Sequence, residues 1–178
     1  MKASDKAKEA AYNKALKNLF SSDDAVVMEA LKSLSEIGDH RVIHPLLELM
    51  LHGSDKVNAG VEDVLFQLKD SQAMKELMEA LDNPKYESIS ATILEAFWNI
   101  GQWPVEHLVK LCEIAVNGTY QEAFEVLTII EHMEGTMEPA ELEQALEPIR
   151  EYLMQREGHE NYVIIETIHS ALNQFGDV

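Results

Sequence analysis

The feature that most constrains this chain is an internal repeat. The segment Ile37-Gly38-Asp39-His40-Arg41-Val42-Ile43-His44-Pro45-Leu46-Leu47-Glu48-Leu49-Met50 returns 31 residues later as Leu68-Lys69-Asp70-Ser71-Gln72-Ala73-Met74-Lys75-Glu76-Leu77-Met78-Glu79-Ala80-Leu81. Apolar positions match apolar positions almost throughout, and Asp39 aligns with Asp70. A third copy starts at Ile100-Gly101, a fourth is visible at Met133-Glu134-Gly135, and a truncated fifth ends at Phe175-Gly176-Asp177. The anchors Ile37, Leu68, Ile100, Met133 and Phe175 therefore lie 31, 32, 33 and 42 residues apart. Periods of this length mark arrays of supersecondary units, each unable to bury its apolar face alone. The long last spacing accommodates an extended helix, in which Glu147-Pro148-Ile149-Arg150-Glu151-Tyr152-Leu153 echoes His44–Met50.

Each repeat carries two helical stripes. Val27, Ala30, Leu31, Leu34 and Ile37 fall at helical spacing, as do Leu94, Phe97, Trp98 and Ile100, and Leu127, Ile130 and Met133. No stretch alternates with period two. The stripes predict helices over 4–20, 23–37, 40–52, 55–68, 71–82, 85–100, 104–116, 119–133, 138–156 and 159–175. Seven of the eight glycines (38, 53, 101, 118, 135, 158 and 176) fall at predicted helix ends, where a left-handed residue closes the last turn. Gly60 is the exception and suits close helix packing. Thr119 and Glu122 form a capping box, and Asn83-Pro84 a cap followed by proline at the first helical position. Pro45 and Pro148 sit inside second-helix patterns and predict local bends.

The fold expected is all-α: a right-handed α-α superhelix (solenoid) of about four to five helical hairpins in one domain, 1–178. It divides into a capping helix at 1–21, repeats at 22–53, 54–84, 85–118 and 119–157, and a half-repeat at 158–178. Leu34, Ile37, Leu46, Leu65, Leu68, Leu77, Phe97, Ile100, Leu127 and Ile130 are the expected core.

The 178 residues carry a net charge of −18. Residues 1–20 are net positive, with five lysines against Asp5 and Glu9, whereas Leu111 to Ile149 holds nine glutamates and no Lys or Arg. Such a surface repels nucleic-acid phosphates and anionic membranes, so neither is an expected partner. No apolar run approaches the ~20 residues of a membrane span, and no apolar stretch follows Met1–Lys6 to suggest a signal peptide. A single cysteine, Cys112, fits a reducing cytoplasm.

The string Ile37–Met50 resembles the HEAT-like repeats of the phycobilisome-lyase type. There a first helix ends in a Gly-Asp turn and a second carries a Pro-Leu-Ile/Leu-Glu core. The resemblance runs over roughly 22–157, clear in the first two repeats, fair in the third and weak beyond. The chain departs from the pattern: Val27-Met28 and Asn58-Ala59 replace a basic pair, His40 stands where proline is usual, and Lys69 replaces the turn glycine. The resemblance implies a scaffold or adaptor. As an alternative it implies a bilin-lyase-like enzyme or subunit, which would need a tetrapyrrole pocket and a partner chain.

The residues themselves point to no catalytic, cofactor or metal site. HExxH, CxxC, GxSxG and P-loop patterns are absent. His40 and His44 are four apart, but no neighbouring carboxylate or Cys completes a ligand set in sequence; His132, His159 and His169 are scattered. Cys112 occupies a core position and reads as an inert thiol. Trp103, before Pro104, is a candidate interface anchor, or else folds back over the hairpin end. The second helices turn outward His44, Glu48, Lys75, Glu79, Glu106, Lys110, Glu113, Glu143, Glu147 and Glu151. From these, Glu48, Glu79, Glu113, Glu143, Glu147 and Glu151, with Trp103, form the expected binding surface for another protein with a basic patch. Two further readings of the charge are a nucleic-acid mimic and plain solubility.

Overall fold

The computed structural model describes residues 3–101, 103–134 and 137–175, which contain ten α-helices and no strand. They are α1 (Ala3–Asn18), α2 (Asp24–Ile37), α3 (Ile43–Met50), α4 (Asp55–Leu65), α5 (Ala73–Leu81), α6 (Ser90–Ile100), α7 (Leu108–Asn117), α8 (Tyr120–His132), α9 (Pro139–Gln155) and α10 (Tyr162–Asn173). Each stripe in the sequence yields one helix. Three helices are entered through 3-10 turns, at His40–Val42, Pro84–Ile89 and Val105–His107.

The contacts gather into two compact units, Met1–Gln102 and Trp103–Val178. In the first, α1 packs on α2, α2 on α4, and α4 on α6, while α3 packs on α4 and α5, and α5 on α6. The first helix of each hairpin thus stacks on the next first helix, and the second on the next second. Leu31, Leu34, Leu46, Leu47, Leu65, Leu77 and Phe97 fill this core and are almost fully buried. In the second unit α7 and α9 form one layer and α8 and α10 the other. Leu111, Cys112, Val126, Ile130, Ile149, Ile165 and Ile168 close between them. Burial drives both assemblies, at about 1.5–3 kcal/mol for each such side chain.

A recurring aspartate joins successive repeats. Asp39 accepts a hydrogen bond from the backbone N–H of Arg41 at 3.1 Å, and its repeat-equivalent Asp70 accepts one from Gln72 at 2.9 Å. The second oxygen of Asp70 also accepts the backbone N–H of His40 at 3.0 Å and meets the His40 ring Nδ1 at 2.8 Å. Backbone donation from Gln72 and His40, then the imidazole, holds the Asp70 carboxyl down at about 2. Gly60 lies in α4 where a Cβ would come within 3.0 Å of Leu31 and 3.1 Å of Met28, so its bare backbone lets α2 and α4 close up.

Several expectations need correction. Ile37, Ile100 and Leu127 are half-buried, the first two because they are the last residues of their helices. Pro148 does lie inside α9, but Pro45 falls in the first turn of α3, where its missing N–H costs least. Among the described glycines only Gly101 and Gly158 are left-handed, at φ 67° and 82°. Gly38, Gly53 and Gly118 follow helix ends in other conformations, and there a Cβ would strike neighbouring oxygens. Gly135 and Gly176 lie outside the described residues. Among the described residues no helix is long and apolar enough to cross a membrane.

Candidate interaction surface

The structure divides the expected binding residues between the two units. Glu48 and Glu79 stand on α3 and α5, in the first. Trp103, Glu113, Glu143, Glu147 and Glu151 belong to the second. None of the six glutamates is buried, as outward-facing second-helix positions require.

Glu48 is not an open carboxylate. Lys85 Nζ donates to both its oxygens at 2.5 and 2.6 Å, and the Tyr86 hydroxyl donates to one of them at 2.8 Å. Lys85, then Tyr86, lowers the Glu48 carboxyl from its ordinary value. Burial, then the same carboxylate, pushes the Tyr86 hydroxyl up to about 12. Glu79 meets Lys75 at 3.5 Å, one helical turn away. Trp103 is half-buried and stacks on His132, with ring centroids 5.5 Å apart and planes 16° from parallel. His132 in turn is held at the end of α8, its Nδ1 2.7 Å from the Thr128 carbonyl. The indole therefore folds back over its own hairpin.

Glu143, Glu147 and Glu151 are brought together. Their spacing of four places them in a row on α9, since residues four apart share a helix face. They line a shallow groove with Ala140, Gln144, Arg150, Met154 and Gln155. Arg150 donates to Glu143 at 2.5 Å, and Gln155 to Glu151 at 3.0 Å. Met154 is 84% exposed, the most exposed large apolar side chain of the described residues. The row is outward because Leu142, Ala145, Leu146, Ile149 and Tyr152 take the inward face. Glu113 is exposed on α7, the helix packed against α9.

Cys112 is fully buried, and burial pushes its thiol up to about 12, so at neutral pH it stays a protonated, inert core group. Sequence reasoning missed the polar contacts made across repeats. His44 Nε2 lies 3.3 Å from Glu76 Oε2, with Glu79 beside them. It also missed a small network in the second unit. The Tyr152 hydroxyl is 2.6 Å from His159 Nδ1, and the buried Asn161 donates to the Gly118 carbonyl at 3.2 Å. The partners of each contact lie 7 to 43 residues apart, beyond any local pattern.

Residues 26–52 match the family model of the PBS lyase HEAT-like repeat. That span runs from Val26 in α2 through the Gly38-Asp39 turn and α3, nearly all of the first full hairpin. The match and the all-helical architecture support a HEAT-like repeat construction, a type generally used to hold other proteins. A comparison with curated proteins finds no match.

Proposed function

We propose that this HEAT-like repeat protein is a non-enzymatic docking module, and that the acidic face of α9 receives a basic segment of another protein. The observation that carries the reading is the row Glu143, Glu147 and Glu151 ending at the exposed Met154. Three carboxylates one helical turn apart match lysines or arginines at the same interval on an amphipathic helix. Met154 adds an adaptable apolar contact, because its unbranched thioether conforms to many partners. The unit Trp103–Val178 contains 15 acidic residues against Lys110, Arg150 and Arg156. Its field therefore favours approach of a cation over the Debye length of about 8 Å. Glu113 contributes to that field. Arg150 meets Glu143 at one end of the row, Glu48 and Glu79 stand in the first unit, where the net charge is smaller, and the Trp103 ring is engaged by His132.

The test uses a basic peptide with lysines at four-residue intervals and leucines between, its association followed at two salt concentrations. Replacing Glu143, Glu147 and Glu151 together by lysine is expected to slow association about tenfold and flatten its salt dependence, because rim charges act on the encounter rate. Met154→Ala is expected to speed dissociation while leaving association alone. If the triple replacement changes neither association rate nor salt dependence, the row is only solubilising charge and the reading fails.

A further inference from the structure

In the first unit, one face of the α3–α5 pair collects a different constellation. His44 projects from α3, and Glu76 and Glu79 from α5, with one ligand-type atom of each within 4.8 Å of the others. We propose that His44, Glu76 and Glu79 form a binding site for a divalent transition-metal ion of the zinc class.

The geometry supports this in three ways. A tetrahedral ion with bonds of about 2.0–2.1 Å separates neighbouring ligand atoms by about 3.3 Å. His44 Nε2 and Glu76 Oε2 are already 3.3 Å apart. The two glutamates are three residues apart on one helix, so both point to the same side, and the imidazole closes the triangle from the adjacent helix. The ring of His44 is flanked by Tyr86, its centroid 6.1 Å away, and the Glu76 side chain is only 22% exposed. Glu79 would leave Lys75, but that exposed contact is long, at 3.5 Å, and such pairs hold weakly.

One imidazole and two carboxylates leave a coordination position for water. This donor set suits zinc, cobalt or nickel better than magnesium, which prefers all-oxygen surroundings. The neighbouring trio Asp39, His40 and Asp70 is a poorer candidate despite similar spacing. Asp39 is clamped by the Arg41 guanidinium at 2.8–3.1 Å. Both oxygens of Asp70 already accept backbone N–H groups. At the His44 site no backbone donor among the described residues occupies either glutamate.

The experiment is calorimetric titration of the whole protein with Zn2+, first alone and then in excess Mg2+. Cobalt is used as a coloured substitute, whose visible absorption reports direct ligation by nitrogen and oxygen. Expected are one Zn2+ per chain, retention in Mg2+, and affinity at least tenfold weaker in His44→Asn, Glu76→Gln and Glu79→Gln. His40→Asn and the combined Glu143→Gln, Glu147→Gln, Glu151→Gln variant are expected to bind as the parent does. Circular dichroism checks folding. Glu79, the most exposed ligand, provides the decisive variant if either of the others unfolds. Absence of saturable uptake, displacement by Mg2+, or unchanged affinity in a folded Glu79→Gln variant overturns the proposal.

Discussion

The two units are built alike and charged differently. Both are stacked helical hairpins closed over leucine and isoleucine side chains with almost no exposure. Yet Met1–Gln102 holds 17 acidic and 11 basic residues, a net of −6, and Trp103–Val178 holds 15 and 3, a net of −12. In the first unit Arg41 reaches both Asp39 and Glu9, Lys85 holds Glu48, and His40 meets Asp70. In the second, even if every cation were paired inside the unit, 12 acidic residues would lack a basic counterpart there. Similar helical packing therefore carries a net of −6 or of −12, so the core holds each unit and the surface charge is available for other work. Exposed pairs contribute only about 0–1 kcal/mol each, whereas one deleted core leucine costs several times that.

If the cores are equivalent, truncating either should hurt equally. Leu34→Ala in α2 and Ile130→Ala in α8 remove side chains with no exposure, and each is expected to cost about 2–5 kcal/mol in urea denaturation. A loss below about 0.5 kcal/mol at Ile130 would mean that the second unit depends on something other than its core.

The first unit has an inter-repeat latch built on a carboxylate, whereas in the second unit the amide of Asn161 reaches the Gly118 carbonyl. Asp70→Ala removes the acceptor for two backbone N–H groups and the His40 ring, and is expected to cost about 2 kcal/mol at neutral pH. The pH dependence follows from the lowered carboxyl, near 2 in the folded chain against about 3.9 unfolded. The stability it adds is complete above the unfolded value and is lost as pH falls through the folded one. The gap between parent and Asp70→Ala should therefore narrow between about pH 4 and pH 2. Denaturation midpoints across that range check it, and a constant gap would assign the cost to packing.

Among the described residues each unit also has one left-handed glycine, Gly101 and Gly158, and a Cβ at either meets nothing within 4 Å. Alanine at each should cost about 1 kcal/mol through the backbone alone. Unequal losses would show that one of these turns relaxes.

These comparisons also mark where the sequence was legible. Helix count and order followed from apolar spacing, because burial of Leu34, Leu46, Leu77 and Phe97 is what selects the helices. The capping box at Thr119 and Glu122 was readable because it is local. The 3-10 entries were not, since a 3-10 turn and the first turn of an α-helix bury the same residues. Glu147 and Glu151 were found by their interval on one helix. His44, Glu76 and Glu79 were not found, because their meeting depends on how α3 stacks on α5 one repeat later. Trp103 was placed on the right turn, but only the packed structure shows His132 beneath it.

The smallest effect is also the most direct test of the charge contrast. Added salt screens attraction and repulsion alike, and it acts on exposed charges over about 8 Å at physiological ionic strength. In the first unit it weakens ion pairs such as Glu48–Lys85 and Arg41–Glu9. In the second it relieves repulsion along Glu143, Glu147 and Glu151 and across the unit's net −12. Raising salt should therefore deepen the protection of α8–α10 amides and leave those of α2–α5 unchanged or slightly less protected. The shifts should be about 0.3–0.5 kcal/mol, as for helix-surface charge pairs. Native-state hydrogen exchange on the intact chain reads both units in one sample. Chloride salts are required, because sulfate would strengthen burial in both units together. If both units gain equally in chloride, repulsion in the second is negligible. Its carboxylates would then be too far apart to act jointly on a partner.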